Sequence, residues 1–299
     1  MSKQKVAIVT DASGDIPPEL EEKYNINIVP ILMNFEEESF KSEGIEKGLT
    51  WDEFYKITEK EVPSTGIPGP GVFMKTFNKA LEIADSVIGI FISNKLSGVF
   101  NTATMVAQQH MQDKDISIYH AGVNSVGVGV VVIEAARLAA AGHAKADVCN
   151  KVENWIKKVN YAGIINQLDN LVRTGRLSKT KKFFANMLKY KPVLGFEEDE
   201  IHVYGNIKAD DALIISQMKK FGEKALENMV DDNNTLFLAH SRWPEAAEEI
   251  VAFLKTVNPK NKEIIIQETG VINAFYTGKK LLAFGYIGKF DSNWLMETK

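Results

Sequence analysis

The strongest constraint on this chain is a unit that repeats through its first half: a short apolar strand, a polar turn, then an amphipathic helix. Residues 6–10, Val-Ala-Ile-Val-Thr, are short, apolar and β-branched, and read as a strand. The turn Asp11-Ala-Ser-Gly-Asp15 follows. Asp15 has the chemistry of a helix N-cap, with Pro17 and Pro18 in the first turn, where a missing N–H costs nothing. That helix is predicted to end at Tyr24-Asn25, before a strand over residues 26–31. Residues 87–92 are apolar on both faces, as in a buried parallel sheet, and residues 116–120 form a fourth strand.

Helices fill the gaps. Phe73, Phe77, Ala80, Leu81 and Ala84 make one apolar stripe, and Val99, Ala103, Val106 and Ala107 a second. Ser125 is the expected cap of a third helix that stops at Gly142. Val148, Val152, Trp155, Ile156 and Val159 mark a fourth, with Asp147 as its expected cap. Such alternation implies a sheet covered by helices.

The second half is patterned differently. Strands are predicted over residues 162–165, 193–196, 201–204, 236–239, 264–266 and 281–287. The acidic turn Glu197-Glu-Asp-Glu200 separates two of them as a hairpin, and a helix starts near Pro244 and carries Ala247, Ile250, Val251 and Leu254. The expected fold is therefore α/β with two domains. Residues 1–160 should hold a mainly parallel sheet with helices on both faces, and residues 161–299 a mixed α/β domain. The length of 299 residues suits two domains.

Composition excludes some functions. Net charge is −4, against the basic excess of a nucleic-acid binder. Cys149 is the single cysteine, so no internal disulfide can form. The apolar run at the N-terminus is too short for a signal peptide. Residues 126–141, the longest apolar stretch, are interrupted by Gly127, Gly129, Glu134 and Arg137, so no membrane span is expected. The expected location is the cytoplasm.

Few motifs carry chemistry. His110, His120, His143, His202 and His240 have no metal-ligand spacing, so neither a metal nor a cofactor is expected. Gly127-Val-Gly129 lacks the third glycine of a dinucleotide fingerprint and reads better as close helix packing. Ser97 lies outside a G-x-S-x-G elbow. Three loops remain. Pro63-Ser-Thr-Gly-Ile-Pro-Gly-Pro-Gly71 leads into the helix of Phe73. Ser93-Asn-Lys-Leu-Ser-Gly98 follows the buried strand at 87–92, where ligands of α/β sheets bind and where a helix N-terminus suits an anion. Thr65 and Ser97 can each offer a hydroxyl there, or serve merely as a turn residue and an N-cap. The third loop, Leu168-Asp-Asn-Leu-Val-Arg-Thr-Gly-Arg-Leu-Ser178, runs into Lys179-Thr-Lys-Lys182. From Asn170 to Phe196 there is no acidic residue, while Arg173, Arg176, Lys179, Lys181, Lys182, Lys189 and Lys191 are basic. This patch is either a docking surface or a solvated helix face.

In order and spacing, these loops resemble those of the DegV family of bacterial fatty-acid-binding proteins. The resemblance rests on Val9-Thr-Asp-Ala-Ser-Gly-Asp-Ile-Pro-Pro-Glu-Leu20, Thr65-Gly-Ile-Pro-Gly-Pro-Gly-Val-Phe73, Leu96-Ser-Gly-Val-Phe100, Leu168-Asp-Asn-Leu171, Thr174-Gly-Arg-Leu177 and Lys191-Pro-Val-Leu194. It implies a long-chain fatty acid or related acyl lipid in a buried tunnel, its carboxylate held by Thr65 and Ser97, aided by the backbone at Gly98. It also implies that Arg176 engages the catalytic subunit of a fatty-acid kinase, and that the protein is a carrier and not an enzyme. Phe275 stands where the family has a head-group histidine, within Val271-Ile-Asn-Ala-Phe-Tyr-Thr-Gly278. Either another group such as Tyr276, Lys279 or His240 compensates, or the pocket accepts a less polar head group or a different lipid, or Phe275 fills the head-group space. Phe73, Phe77, Phe100 and Val126 are candidates for the tunnel wall, or are plain core packing. Two other readings stand beside this one: a hydrolase or transferase using Ser97 on a small ester or phosphate, and an interaction protein whose lipid pocket has decayed.

Overall fold

In the computed structural model, the described residues are 3–36, 39–42, 48–177, 190–208 and 210–296. In chain order the first part comprises β1 (Gln4–Asp11), α1 (Pro18–Tyr24), β2 (Asn27–Val29), β3 (Leu32–Asn34), β4 (Ser39–Lys41), α2 (Trp51–Lys60), β5 (Ser64–Gly66), α3 (Pro70–Ile83), β6 (Ala84–Phe91), α4 (Val99–His110), β7 (Ile116–His120), α5 (Val126–Ala140) and α6 (Lys145–Trp155). The second comprises β8 (Val159–Ile164), α7 (Asp169–Arg173), β9 (Tyr190–Glu197), β10 (Glu200–Lys208), α8 (Asp211–Asn228), β11 (Thr235–His240), α9 (Pro244–Thr256), β12 (Glu263–Glu268), α10 (Val271–Thr277), β13 (Leu282–Ile287) and α11 (Asn293–Met296).

The first sheet has the order β2-β1-β6-β7 and is wholly parallel. The second has the order β10-β9-β8-β13-β11-β12, antiparallel except for the β11–β12 pair. A small antiparallel sheet, β4-β3-β5, stands apart. This is the expected two-domain α/β fold.

Side-chain alternation divides the core into layers. In β1 and β6, Ala7, Val9, Val87 and Phe91 face α3 and α4, while Val6, Ile8, Ile88 and Ile90 face α5. In β11, Phe237 and Ala239 face α5 from the other side, while Leu236 and Leu238 face α8 and α9. Helix α5 thus lies between the two sheets, which explains its apolar residues all round. Gly127 and Gly129 serve close packing. A methyl group at Gly129 would lie 2.5 Å from the Gly14 carbonyl oxygen and 2.6 Å from the Phe237 ring. The buried Glu134 of α5 is satisfied by four donors: Thr235 Oγ1 at 2.8 Å, Arg137 Nη1 at 2.9 Å, the Asn234 amide at 3.0 Å and Asn233 Nδ2 at 3.3 Å.

Several local expectations change. Asp15 does not cap α1, whose N-cap is Pro17. Asp15 adopts a left-handed φ of 49° and spends its carboxylate on distant partners. Ala144, not Asp147, is the N-cap of α6, and Val159 starts β8. Ser125 occupies the N-cap position of α5, but its hydroxyl donates to Asp15. Ala84 begins β6 and does not continue the stripe of α3. Thr65 lies in β5, a strand that the Gly/Pro-rich neighbourhood concealed. Lys179, Lys181, Lys182 and Lys189 of the basic patch lie outside the described residues.

Candidate functional site

The first sheet reverses its winding between β1 and β6, and crevices of this kind open at the carboxyl ends of the strands. Here the second sheet roofs the crevice, leaving a cavity of about 360 Å³, within the range of small-molecule sites.

One part of its wall is polar. Thr65 of β5 and Tyr276 of α10 meet there, with the two hydroxyl oxygens 2.7 Å apart. Ser97 and Gly98 come from the β6–α4 loop, and Gly98 is the N-cap of α4. The Ser97 hydroxyl oxygen accepts from the Val99 amide at a long 3.4 Å, so its proton is free to donate. The Phe100 and Asn101 amides in the first turn of this 12-residue helix have no intrahelical acceptor and carry partial positive charge. Arg176 joins them. One guanidinium nitrogen donates to Thr174 O at 2.7 Å, and the group lies 5.9 Å from the centre of the Tyr276 ring. Lys95 also lines the wall, whereas no Asp or Glu does so among the described residues. The electrostatics favour an anion.

A second polar cluster lies on the β1 side. Asp11 accepts from the Ile92 and Ser13 amides, each at 2.9 Å, and from the Ser13 hydroxyl. Burial pushes its carboxyl pKa up, and these bonds oppose that shift only partly. Asp15 accepts from Asn273 Nδ2 at 2.8 Å, the Gly270 amide at 2.9 Å and the Ser125 hydroxyl. Asn273 also donates to Ser13 O and accepts from Asn124 Nδ2, each at 2.9 Å. These bonds fix α10 against the first sheet.

Much of the remaining lining is apolar, although Asn94, Tyr161 and Thr277 also belong to it. Ile31, Ile92 and Leu96 come from the first half, and Leu171, Leu194, Phe196, Ile201 and Leu281 from the second. The candidate tunnel residues are elsewhere. Phe73 and Phe77 are wholly buried between α3 and the first sheet, and Val126 is in the middle layer. Phe100 packs on His120 at 4.8 Å. Their stripes are spent on their own sheet, so the cavity draws most of its apolar wall from across the domain junction.

Thr65, Ser97, Gly98 and Arg176 come together at the cavity, while Phe275 does not line it. Successive helix residues point about 100° apart. Ile272, Asn273, Tyr276 and Thr277 therefore face the cavity, while Val271 and Phe275 face away, into a cluster with Met33, Phe54 and Tyr55. Phe275 thus points away from the cavity, and the next residue, Tyr276, lines it. His240 and Lys279 are not among the lining residues, and Lys279 sits over the Tyr55 ring at 4.8 Å. Among the described residues, no imidazole or carboxylate is hydrogen-bonded to the Ser97 hydroxyl.

Sequence reasoning missed β3, β4, β5, α2, α7, α8, α10 and α11. Two of these carried signals: Thr50 and Glu53 form a capping box at α2, and Asp210 caps α8 by accepting from the Leu213 amide.

The parallel sheet, the mixed sheet that roofs it and the cavity between them define a two-domain α/β protein. The chain belongs to the DegV family: the family model described as "Uncharacterised protein, DegV family" matches residues 5–289. A DegV domain-containing protein of Caldanaerobacter subterraneus is 32% identical over 257 residues, 85% of this chain and 88% of that one. Among solved structures, DegV of Bacillus subtilis, described as a fatty acid binding protein, superposes with a TM-score of 0.78 at 26% identity, covering 96% of this chain and 100% of that one. The fatty acid kinase B3 protein of Streptococcus pneumoniae, loaded with linoleic acid, has a TM-score of 0.80 at 17% identity, covering 95% and 100%. Among the described residues, no helix is long and apolar enough to cross a membrane.

Proposed function

We propose that this protein is a non-catalytic carrier that binds a long-chain fatty acid or related acyl lipid and presents its head group to a partner kinase in the cytoplasm. The observation that carries this reading is the distribution of groups around the cavity. Hydroxyls of Thr65, Ser97 and Tyr276, the α4 N-terminus and the Arg176 cation line the cavity together with apolar side chains such as Ile31, Ile92, Leu171 and Leu194. A carboxylate takes charge-assisted hydrogen bonds from the first set, while an acyl chain buries apolar surface against the second. The fatty acids named for the B. subtilis and S. pneumoniae proteins support the ligand class, and the kinase name of the latter supports the partner. In this reading residues 1–160 are the binding half and residues 161–299 the closing half; the strands of the parallel sheet all precede residue 160, and the second sheet begins with Val159. Arg176 holds the head group at the cavity wall and faces the docking kinase.

The test is mass spectrometry of lipid extracted from the purified protein, with titration of added oleic acid. A stoichiometric acyl lipid, or saturable binding of the added acid, is expected. Recovery of no acyl lipid together with no binding overturns the reading.

A further inference from the structure

One group in the cavity is not accounted for by a plain acyl chain. Tyr161, near the start of β8, lines the cavity and is 7% exposed. Its hydroxyl makes no hydrogen bond to any described residue. The other hydroxyls of the cluster on the β1 side are committed: Ser13 to Asp11 and Ser125 to Asp15. The Tyr161 ring is held firmly. It meets Phe196 edge-on at 5.6 Å, and methyl groups at Gly127 or Gly195 would come within 3.2 Å of its β-carbon or 3.1 Å of its carbonyl oxygen. Burial and the Asp15 charge push its pKa up, so the phenol keeps its proton.

An oxygen that bonds nothing in the protein does not serve the fold. The Tyr161 oxygen is not sealed in the core but open to the cavity, where a bound molecule can reach it. We propose that Tyr161 is a second polar anchor, and that the preferred ligand is an acyl chain bearing a hydroxyl along its length. The phenol donates to that hydroxyl and can also accept from it. Rigid presentation makes the contact selective, because little ordering is lost when the ligand arrives. This inference rests on the acyl-carrier reading and specifies its substrate class.

The experiment compares stearic acid with monohydroxystearic acids whose hydroxyl is walked along the chain, using calorimetric titration of the full-length protein. In the wild type, at least one positional isomer is expected to bind about threefold to tenfold tighter than stearic acid, the range of one neutral hydrogen bond. In Tyr161→Phe the ratio of the two dissociation constants should fall to one. A crystal structure of the preferred complex should place the ligand hydroxyl within hydrogen-bond distance of Tyr161 Oη, a readout that does not depend on the variant folding. If stearic acid binds and no isomer is preferred, or if the preference survives in Tyr161→Phe, the anchor is wrong while the carrier reading stands. If no acyl chain binds at all, both are wrong.

Discussion

The hydroxyls of Thr65 and Tyr276, separated by 211 positions in sequence, lie 2.7 Å apart and join the small β4-β3-β5 sheet to helix α10 across the cavity. Either oxygen can act as the donor, so the pair can turn its protons toward an arriving carboxylate without moving the backbone. Tyr276 does this from the position after Phe275, where the family resemblance led one to look for a histidine.

Removing that phenol has a measurable cost. Tyr276→Phe keeps the ring and deletes one donor to a charged group, worth about 1.5–3 kcal/mol. Oleic acid affinity should fall roughly tenfold to a hundredfold by calorimetric titration. The double variant with Thr65→Val should lose less than the sum of the two single losses, because the residues share a bond. Strict additivity would mean that they act separately.

Arg176 separates binding from presentation. Arg176→Ala removes a cation from the cavity wall but leaves the hydroxyls and the α4 N-terminus in place. Acyl-lipid binding should persist, weakened by about tenfold at most, while phosphorylation of the bound acid by a fatty-acid kinase subunit should be lost. Undiminished turnover with the alanine variant would remove Arg176 from the kinase step.

Burial lowers the pKa of His240 below its ordinary 6.5, with Arg242 lowering it further and Glu268, Glu245 and Glu248 opposing the shift. As pH falls below that value, the unfolded chain takes up the proton first, so stability falls with pH. The contribution is complete above pH 6.5 and is lost as pH drops through the folded-state pKa. Urea melts of His240→Asn should therefore show a shallower decline below pH 6.5 than the wild type.

Two glycine-to-alanine changes should act in opposite directions. At Gly129, the new methyl meets the Gly14 carbonyl and the Phe237 ring, and overpacking of this kind costs about 1–3 kcal/mol. At Gly71, in the first turn of α3, no atom lies within 4 Å of the new carbon, and the gain in helix propensity is about 0.5–1 kcal/mol. Thermal melts should move down for the first and up for the second.

The strands and the two-domain α/β class were legible because alternation and helical stripes are local patterns. The strand at β6 and the hairpin of β9 and β10 appeared where the pattern put them. Thr65, Ser97 and Gly98 were found from short motifs. The apolar wall was not. Leu194, Phe196 and Leu281 reach the cavity only because the second sheet folds over the first, and nothing in their neighbouring residues encodes that meeting. Phe275 was misjudged for a related reason: position in a motif gives the residue, but the angle around α10 decides what faces inward. Asp15 looked like a cap because its flanking prolines are local, whereas its partners Gly270 and Asn273 are more than 250 positions away.

Helix α5 belongs structurally to both halves, since β1 and β13 press on it from opposite sides. Gly285 of β13 comes so near that a methyl group there would lie 2.1 Å from the Val126 carbonyl oxygen. Severing the polypeptide between Trp155 and Val159 would strip one flank of that helix and bare a surface of valine and alanine to water. The halves are therefore expected to melt as one calorimetric unit, with any mutation that loosens the helix felt at the cavity and in both sheets at once.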